Sequence, residues 1–91
     1  MTPTADSVAQ WMAETVLKDG ILYQQQAAYE IIDQFGEEFT YLNANGNLAI
    51  RRDVLRQFRN MTEDSVVWDR GQRMWRTRET YDDPGRRTTD W

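Results

Sequence analysis

A chain of 91 residues with 11 Lys and Arg against 15 Asp and Glu, for a net charge of −4, is long enough for one small hydrophobic core and too short for two. It contains neither cysteine nor histidine. Disulfides, thiol nucleophiles, the common zinc sites and every Ser-His or Cys-His arrangement are therefore excluded, so no enzyme activity, metal or cofactor is expected.

The charge is unevenly divided. Residues 1 to 50 hold one base, Lys18, against seven acids for −6, whereas residues 51 to 91 hold ten arginines against eight acids for +2. A basic surface in the second half could steer toward an anionic partner, yet the acidic balance of the whole opposes the long-range attraction on which nucleic-acid binders rely. Apolar runs are only a few residues long, and the start lacks a basic region leading into an apolar one. A soluble, cytoplasmic protein with no membrane partner is expected.

In chain order, Thr2-Pro3-Thr4 offers a helix cap and a first-turn proline. Val8, Trp11, Met12, Thr15 and Val16 then recur at helical spacing up to Gly20, which predicts a first helix over 4–18. Ile21-Leu22-Tyr23 suits a brief strand. A second helix is predicted over 24–35, with Ala28, Ile31, Ile32 and Phe35 inward, Glu30 and Asp33 outward, and Gly36 as its stop. The stretch from Phe39 to Ile50 centres on Asn45-Gly46, which suits a type I′ turn. As a two-residue turn it sets Tyr41 opposite Ile50 and Asn43 opposite Leu48, with Phe39, Tyr41, Leu48 and Ile50 on one face; the alternative is an extended loop packed by the same residues.

A third helix is predicted over 52–61. Val54, Leu55, Phe58 and Met61 form its apolar stripe, and Arg52, Arg56 and Arg59 fall on the opposite side. Thr62-Glu63-Asp64-Ser65 breaks the pattern, and Val66 to Arg78 reads as a hairpin punctuated by arginines. With Arg70-Gly71 as its turn, Trp68 faces Arg73, offering a cation–π contact, and Val66 faces Trp75. From Glu79 the chain turns polar, so residues 1–79 read as one domain and residues 80–91 as a disordered tail closed by Trp91. The order helix, strand, helix, insertion, helix, strand, turn, strand is that of a winged helix. The predicted class is α+β and winged-helix-like: three helices, a C-terminal β-hairpin, and an extra hairpin between helices two and three.

The strings FGEEFTYLNANGNLAI, VLRQF and VVWDRGQRMWRTRE resemble a family of small uncharacterised bacterial proteins, some similar to products of mobile gene cassettes of the integron type. The resemblance spans about residues 8 to 87. It implies a standalone domain in the bacterial cytoplasm, and it carries no established activity.

Asn43, Asn45, Gly46 and Leu48 match positions 3, 5, 6 and 8 of a calcium loop. The positions that should hold its first ligand and its closing glutamate are Tyr41 and Arg52, so a plain Asn-Gly turn fits better. Asp33, Glu37 and Glu38 straddle a helix end and suit a solvated face more than a catalytic pair.

The most functional-looking set is Arg52, Arg56 and Arg59, with Arg70 and Arg73 on the hairpin. They could reach phosphates or guanine edges. The competing readings are a solvated face paired with acids such as Asp53, or a protein-binding surface, and the net negative charge favours these. Trp68 and Trp75 fit the core, as does Trp11, with an exposed interface anchor as the alternative. The tail pair Arg86 and Arg87 could hold an acidic partner. The sequence thus predicts a non-enzymatic module that binds a protein partner or a second copy of itself, with a DNA-binding regulator as the alternative.

Overall fold

Thr4 starts the first helix. Its Oγ1 accepts from the Ser7 backbone N–H (3.2 Å) while its own N–H donates to Ser7 Oγ (2.8 Å), so donors that a helix start would leave unpaired are satisfied. The threonine that caps is Thr4 rather than Thr2, which places Pro3 before the cap and not in the first turn. Gly20, at φ 82°, ends the helix and donates its N–H to the Val16 carbonyl, a left-handed geometry that glycine adopts without steric cost.

The computed structural model describes residues 2–63 and 65–78. Its elements are α1 (Ala5–Asp19), β1 (Ile21–Tyr23), α2 (Gln24–Phe35), a 3-10 turn (Glu37–Phe39), β2 (Thr40–Leu42), β3 (Leu48–Ile50), α3 (Arg52–Thr62), β4 (Val66–Asp69) and β5 (Met74–Thr77). The α+β class, the three helices, the C-terminal hairpin and the extra hairpin between α2 and α3 are all present. Residues 80–91, including Arg86, Arg87 and Trp91, lie outside the described residues, as does the proposed boundary at 79.

β1, β5 and β4 form an antiparallel sheet in that order, with β5 in the centre, while β2 and β3 form a separate two-stranded ribbon. Trp68 stands opposite Trp75 and Val66 opposite Thr77, not opposite Arg73 and Trp75 as a two-residue turn requires. The connection is a longer one, Arg70 to Arg73, in which Asp69 Oδ1 accepts from the Gln72 N–H (3.1 Å) and Arg73 takes φ 54°. The slip is two residues, so every side chain keeps its face. A Trp68–Trp75 contact replaces the expected Arg73–Trp68 pair.

In the ribbon the shift is one residue, and the consequence is larger. Thr40 pairs with Ile50, Tyr41 with Ala49 and Leu42 with Leu48, so Tyr41 leaves the face of Leu48 and Ile50. The cause is a three-residue connection closed by Asn43 N–H to Asn47 O and Gly46 N–H to Asn43 O, both 2.9 Å. Gly46 holds φ 77° in it, the usual left-handed position of such loops.

The core lies between the helices and the inner face of the three-stranded sheet. Val8, Met12 and Val16 of α1 pack chiefly against α3, with Ile31, Leu22, Phe39, Ile50 and Trp75 closing the remaining sides. Phe58 meets Trp75 edge to face, ring centroids 5.3 Å apart at 88°, a geometry favoured by the ring quadrupoles. The buried stripe of α3 is Val54, Phe58 and Thr62, at spacing four, and Met61 stands exposed. Thr62 therefore extends the helix instead of breaking it, and its buried hydroxyl is satisfied by donating to the Phe58 carbonyl (2.7 Å). Trp11, Phe35 and Leu55, expected in the interior, are half-buried at its rim. There Trp11 and Phe35 make their own edge contact at 6.1 Å.

Candidate binding surface

The helix that carries Arg52, Arg56 and Arg59 buries Val54, Phe58 and Thr62 on its other side, so a 3.6-residue repeat turns the arginines outward. Arg52 and Arg56 are exposed and Arg59 is half-buried. With Leu55, Asn60 and Glu63 they line an open depression of ≈ 480 Å³. Among the described residues none of the three arginines reaches a carboxylate at ion-pair distance. Asp53, the acid expected to neutralise them, is taken by Arg51: the guanidinium donates from Nε to Oδ1 (3.1 Å) and from Nη2 to Oδ2 (2.5 Å).

Arg51 is among the arginines that the sequence did not single out. It also donates Nη1–H to the Glu38 carbonyl (3.0 Å) and its backbone N–H to the Phe39 carbonyl (2.9 Å), and its guanidinium lies 5.2 Å from the Phe39 ring centre. These contacts tie the start of α3 to the 3-10 turn. The hydrogen bonds from Arg51, together with its charge, hold the Asp53 carboxyl below its ordinary value of 3.8.

The hairpin arginines stand elsewhere. Arg70 and Arg73 are exposed in the β4–β5 loop, and Arg73 lines a second depression that shares no residue with the first. Trp75 is 1% exposed, so it is withdrawn from the candidate surface as a core residue. Trp68 is half-buried against it.

The second depression, a cleft of ≈ 700 Å³, is walled by Tyr23, Tyr29, the glutamines at 24, 25 and 26, the 46–48 segment of the ribbon, Gln72 and Arg73. Sequence reading passed over it because its residues lie far apart in the chain, at the start of α2, in the ribbon and in the hairpin loop, and the glutamine run looked like simple low complexity. Three elements build it. The Gln24 N–H donates to the Arg73 carbonyl (3.1 Å) and Arg73 Nη2 donates to Gln24 Oε1 (3.4 Å), which fastens the hairpin loop to the start of α2. Tyr23 occupies the N-cap of α2 with no side-chain capping bond, and the first turn of α2 carries no acid.

The calcium-like segment is a turn. Asn43 Oδ1 accepts from the N–H groups of Asn45 and Asn47, both at 3.0 Å, so this side chain is used in the local fold. Asp33, Glu37 and Glu38 are exposed. Among the described residues no group of three acids is placed to hold a metal ion, and no helix is long and apolar enough to cross a membrane.

No curated protein and no solved structure matches this chain. A family described as of unknown function, DUF6953, matches residues 4–77, from the Thr4 cap to the end of β5. With that match extending over most of its length, the chain belongs to the DUF6953 family.

Proposed function

We propose that this domain is a non-enzymatic binding module whose α3 arginine row engages an acidic segment of a protein partner or of a second copy of itself. The observation that carries the reading is the row itself: Arg52, Arg56 and Arg59 face outward together without carboxylate partners among the described residues. Arginine keeps its charge at any physiological pH, and its planar fork matches carboxylates bidentately, so an unpaired row on a net acidic protein is suited to acidic side chains. A second copy would supply such side chains from its first half, which carries −6. The setting that goes with this reading is the bacterial cytoplasm, and the likeness to mobile cassette products belongs with it.

The DNA-binding alternative has one specific support. The sheet order β1-β5-β4, with α3 preceding β4 and a basic loop between β4 and β5, is the order expected of a winged-helix reading, in which the third helix would enter the major groove. Against it stand the net charge of −4 and the separation of the α3 row from Arg73, because phosphate contacts must neutralise several charges at once to give useful affinity. Light scattering of the wild type and of the Arg52→Ala/Arg56→Ala/Arg59→Ala variant, with titration of a labelled poly-glutamate peptide, tests the reading. Binding or self-association that the triple substitution abolishes supports it. Equal behaviour of the two proteins contradicts it.

A further inference from the structure

The cleft between the start of α2, the ribbon turn and the hairpin loop contains the ingredients of a small-molecule site that is independent of the α3 row. Its volume of ≈ 700 Å³ falls within the range of pockets that hold cofactor-sized ligands. Tyr23 and Tyr29, 45% and 58% exposed, leave aromatic surface uncovered on its walls. Five amide side chains, Gln24, Gln25, Gln26, Asn47 and Gln72, surround them, and each amide offers donors and an acceptor side by side. One cation, Arg73, completes the lining, and the lining contains no carboxylate.

Arg73 is also the one described non-glycine residue at positive φ, 54°. A side chain other than Gly, Asn or Asp rarely adopts this conformation, which carries a steric cost. Here it is held by two bonds to Gln24, through the Arg73 carbonyl and through Nη2, and these keep the guanidinium at the wall of the cleft. Residues held in such conformations cluster at ligand-binding positions.

We infer that this cleft binds a nucleotide: an unpaired base stacked on Tyr23 or Tyr29 and read by the glutamine and asparagine amides, with its phosphate on the Arg73 guanidinium. Bases stack on tyrosine irrespective of sequence, because every base presents a π-face. Amide side chains match the alternating donors and acceptors along a base edge, and arginine matches a phosphate bidentately. A divalent cation or a basic ligand does not fit, since no acid lines the cleft. The nucleotide is either a free mononucleotide or one residue of a single strand.

The test is calorimetric titration of the full chain with adenosine, guanosine, cytidine and uridine monophosphates, with adenosine, with inorganic phosphate, and with a short single-stranded oligonucleotide and its duplex. Variants are Tyr29→Ala, Arg73→Gly and, as a control that removes an exposed charge lining neither depression, Lys18→Ala. Arg73→Gly suits the left-handed backbone, so thermal melting should show it folded. Saturable binding of at least one monophosphate is expected, weakened about tenfold or more by Tyr29→Ala and by Arg73→Gly and unchanged by Lys18→Ala. Adenosine and phosphate separately should bind less tightly than adenosine monophosphate. A single strand that binds more tightly than any mononucleotide identifies the polymer as the source, and the reverse order identifies the free nucleotide. No heat with any monophosphate or single strand at millimolar concentration overturns the inference, as does binding that folded Tyr29→Ala and Arg73→Gly proteins retain, or phosphate binding as tightly as the nucleotide.

Discussion

Trp68 and Trp75 stand directly opposite one another on β4 and β5, ring centroids 4.9 Å apart and tilted by 48°. The pair fixes the hairpin to the core, because Trp75 reaches inward to meet Phe58 edge to face and faces Leu22 across β1. Large aromatics are how a chain of this size buries enough apolar surface to fold.

Trp75→Ala and Phe58→Ala should each lower unfolding free energy by about 3–5 kcal/mol, the range for a large core aromatic truncated to alanine. Because their rings touch, the double variant should cost less than the sum, by about 0.5–1.5 kcal/mol. Urea denaturation followed by circular dichroism measures all three. A Trp75→Ala loss within experimental noise would contradict its placement in the core.

Arg73→Gly should leave the protein as stable as the wild type or slightly more so. Relief of a left-handed conformation on a residue with a Cβ is worth about 1–2 kcal/mol, and the extra freedom of glycine in the unfolded chain takes back about 0.4–1 kcal/mol. Arg73→Ala keeps the strain, so its melting temperature should fall below that of Arg73→Gly.

The helices were legible because their apolar residues recur at helical spacing between clear breakers, and so was the chain order that gives the α+β class. The turns were not. Asn45-Gly46 is a strong two-residue turn signal, but Asn43 adds two side-chain bonds to the backbone, from Asn45 and Asn47, which favour a three-residue loop and shift the register by one. Likewise Asp69 caps the hairpin loop through Gln72, lengthening it to four residues, an effect that residue types around Arg70-Gly71 do not announce. The arginine row on α3 followed from periodicity alone. The cleft beside Tyr23 and Tyr29 did not, because it is assembled from the start of α2, the ribbon turn and the hairpin loop, which are far apart in the chain, and Arg51 escaped notice because its partners lie across the 3-10 turn as well as on the helix that follows it.

The Arg51–Asp53 pair should make stability depend on acid. The folded-state carboxyl of Asp53 sits below its ordinary 3.8, so its contribution is fully present above that value and is lost as pH falls through the lowered one. Asp53→Asn should therefore be less stable than the wild type near neutral pH, and the difference should shrink as pH drops below 3.8. Side chains about two-fifths exposed make the effect small and salt-sensitive. Denaturation curves for the two proteins across pH 3 to 6 at low salt show it.

Arg56→Ala should be silent for stability, within about 0.5 kcal/mol, because an exposed arginine without an ion pair loses little packing. Arg51→Ala should cost about 1 kcal/mol through its hydrogen bonds to Asp53 and to the Glu38 carbonyl. Paired thermal melts distinguish the two, and a larger loss for Arg56→Ala would place that side chain in a structural role.

The choice between an acidic protein segment and DNA as the partner of α3 is decided by competition at one ionic strength. Fluorescence anisotropy of a labelled poly-glutamate peptide and of a labelled mixed-sequence duplex is followed with wild type, with Arg52→Ala/Arg56→Ala/Arg59→Ala, and with that variant further carrying Arg70→Ala and Arg73→Ala. The arginine-row reading predicts that the peptide binds the wild type, that the triple variant loses it, and that unlabelled duplex fails to displace it. Tight duplex binding that falls steeply with salt and disappears in the fivefold variant, with no binding of the peptide, would contradict it.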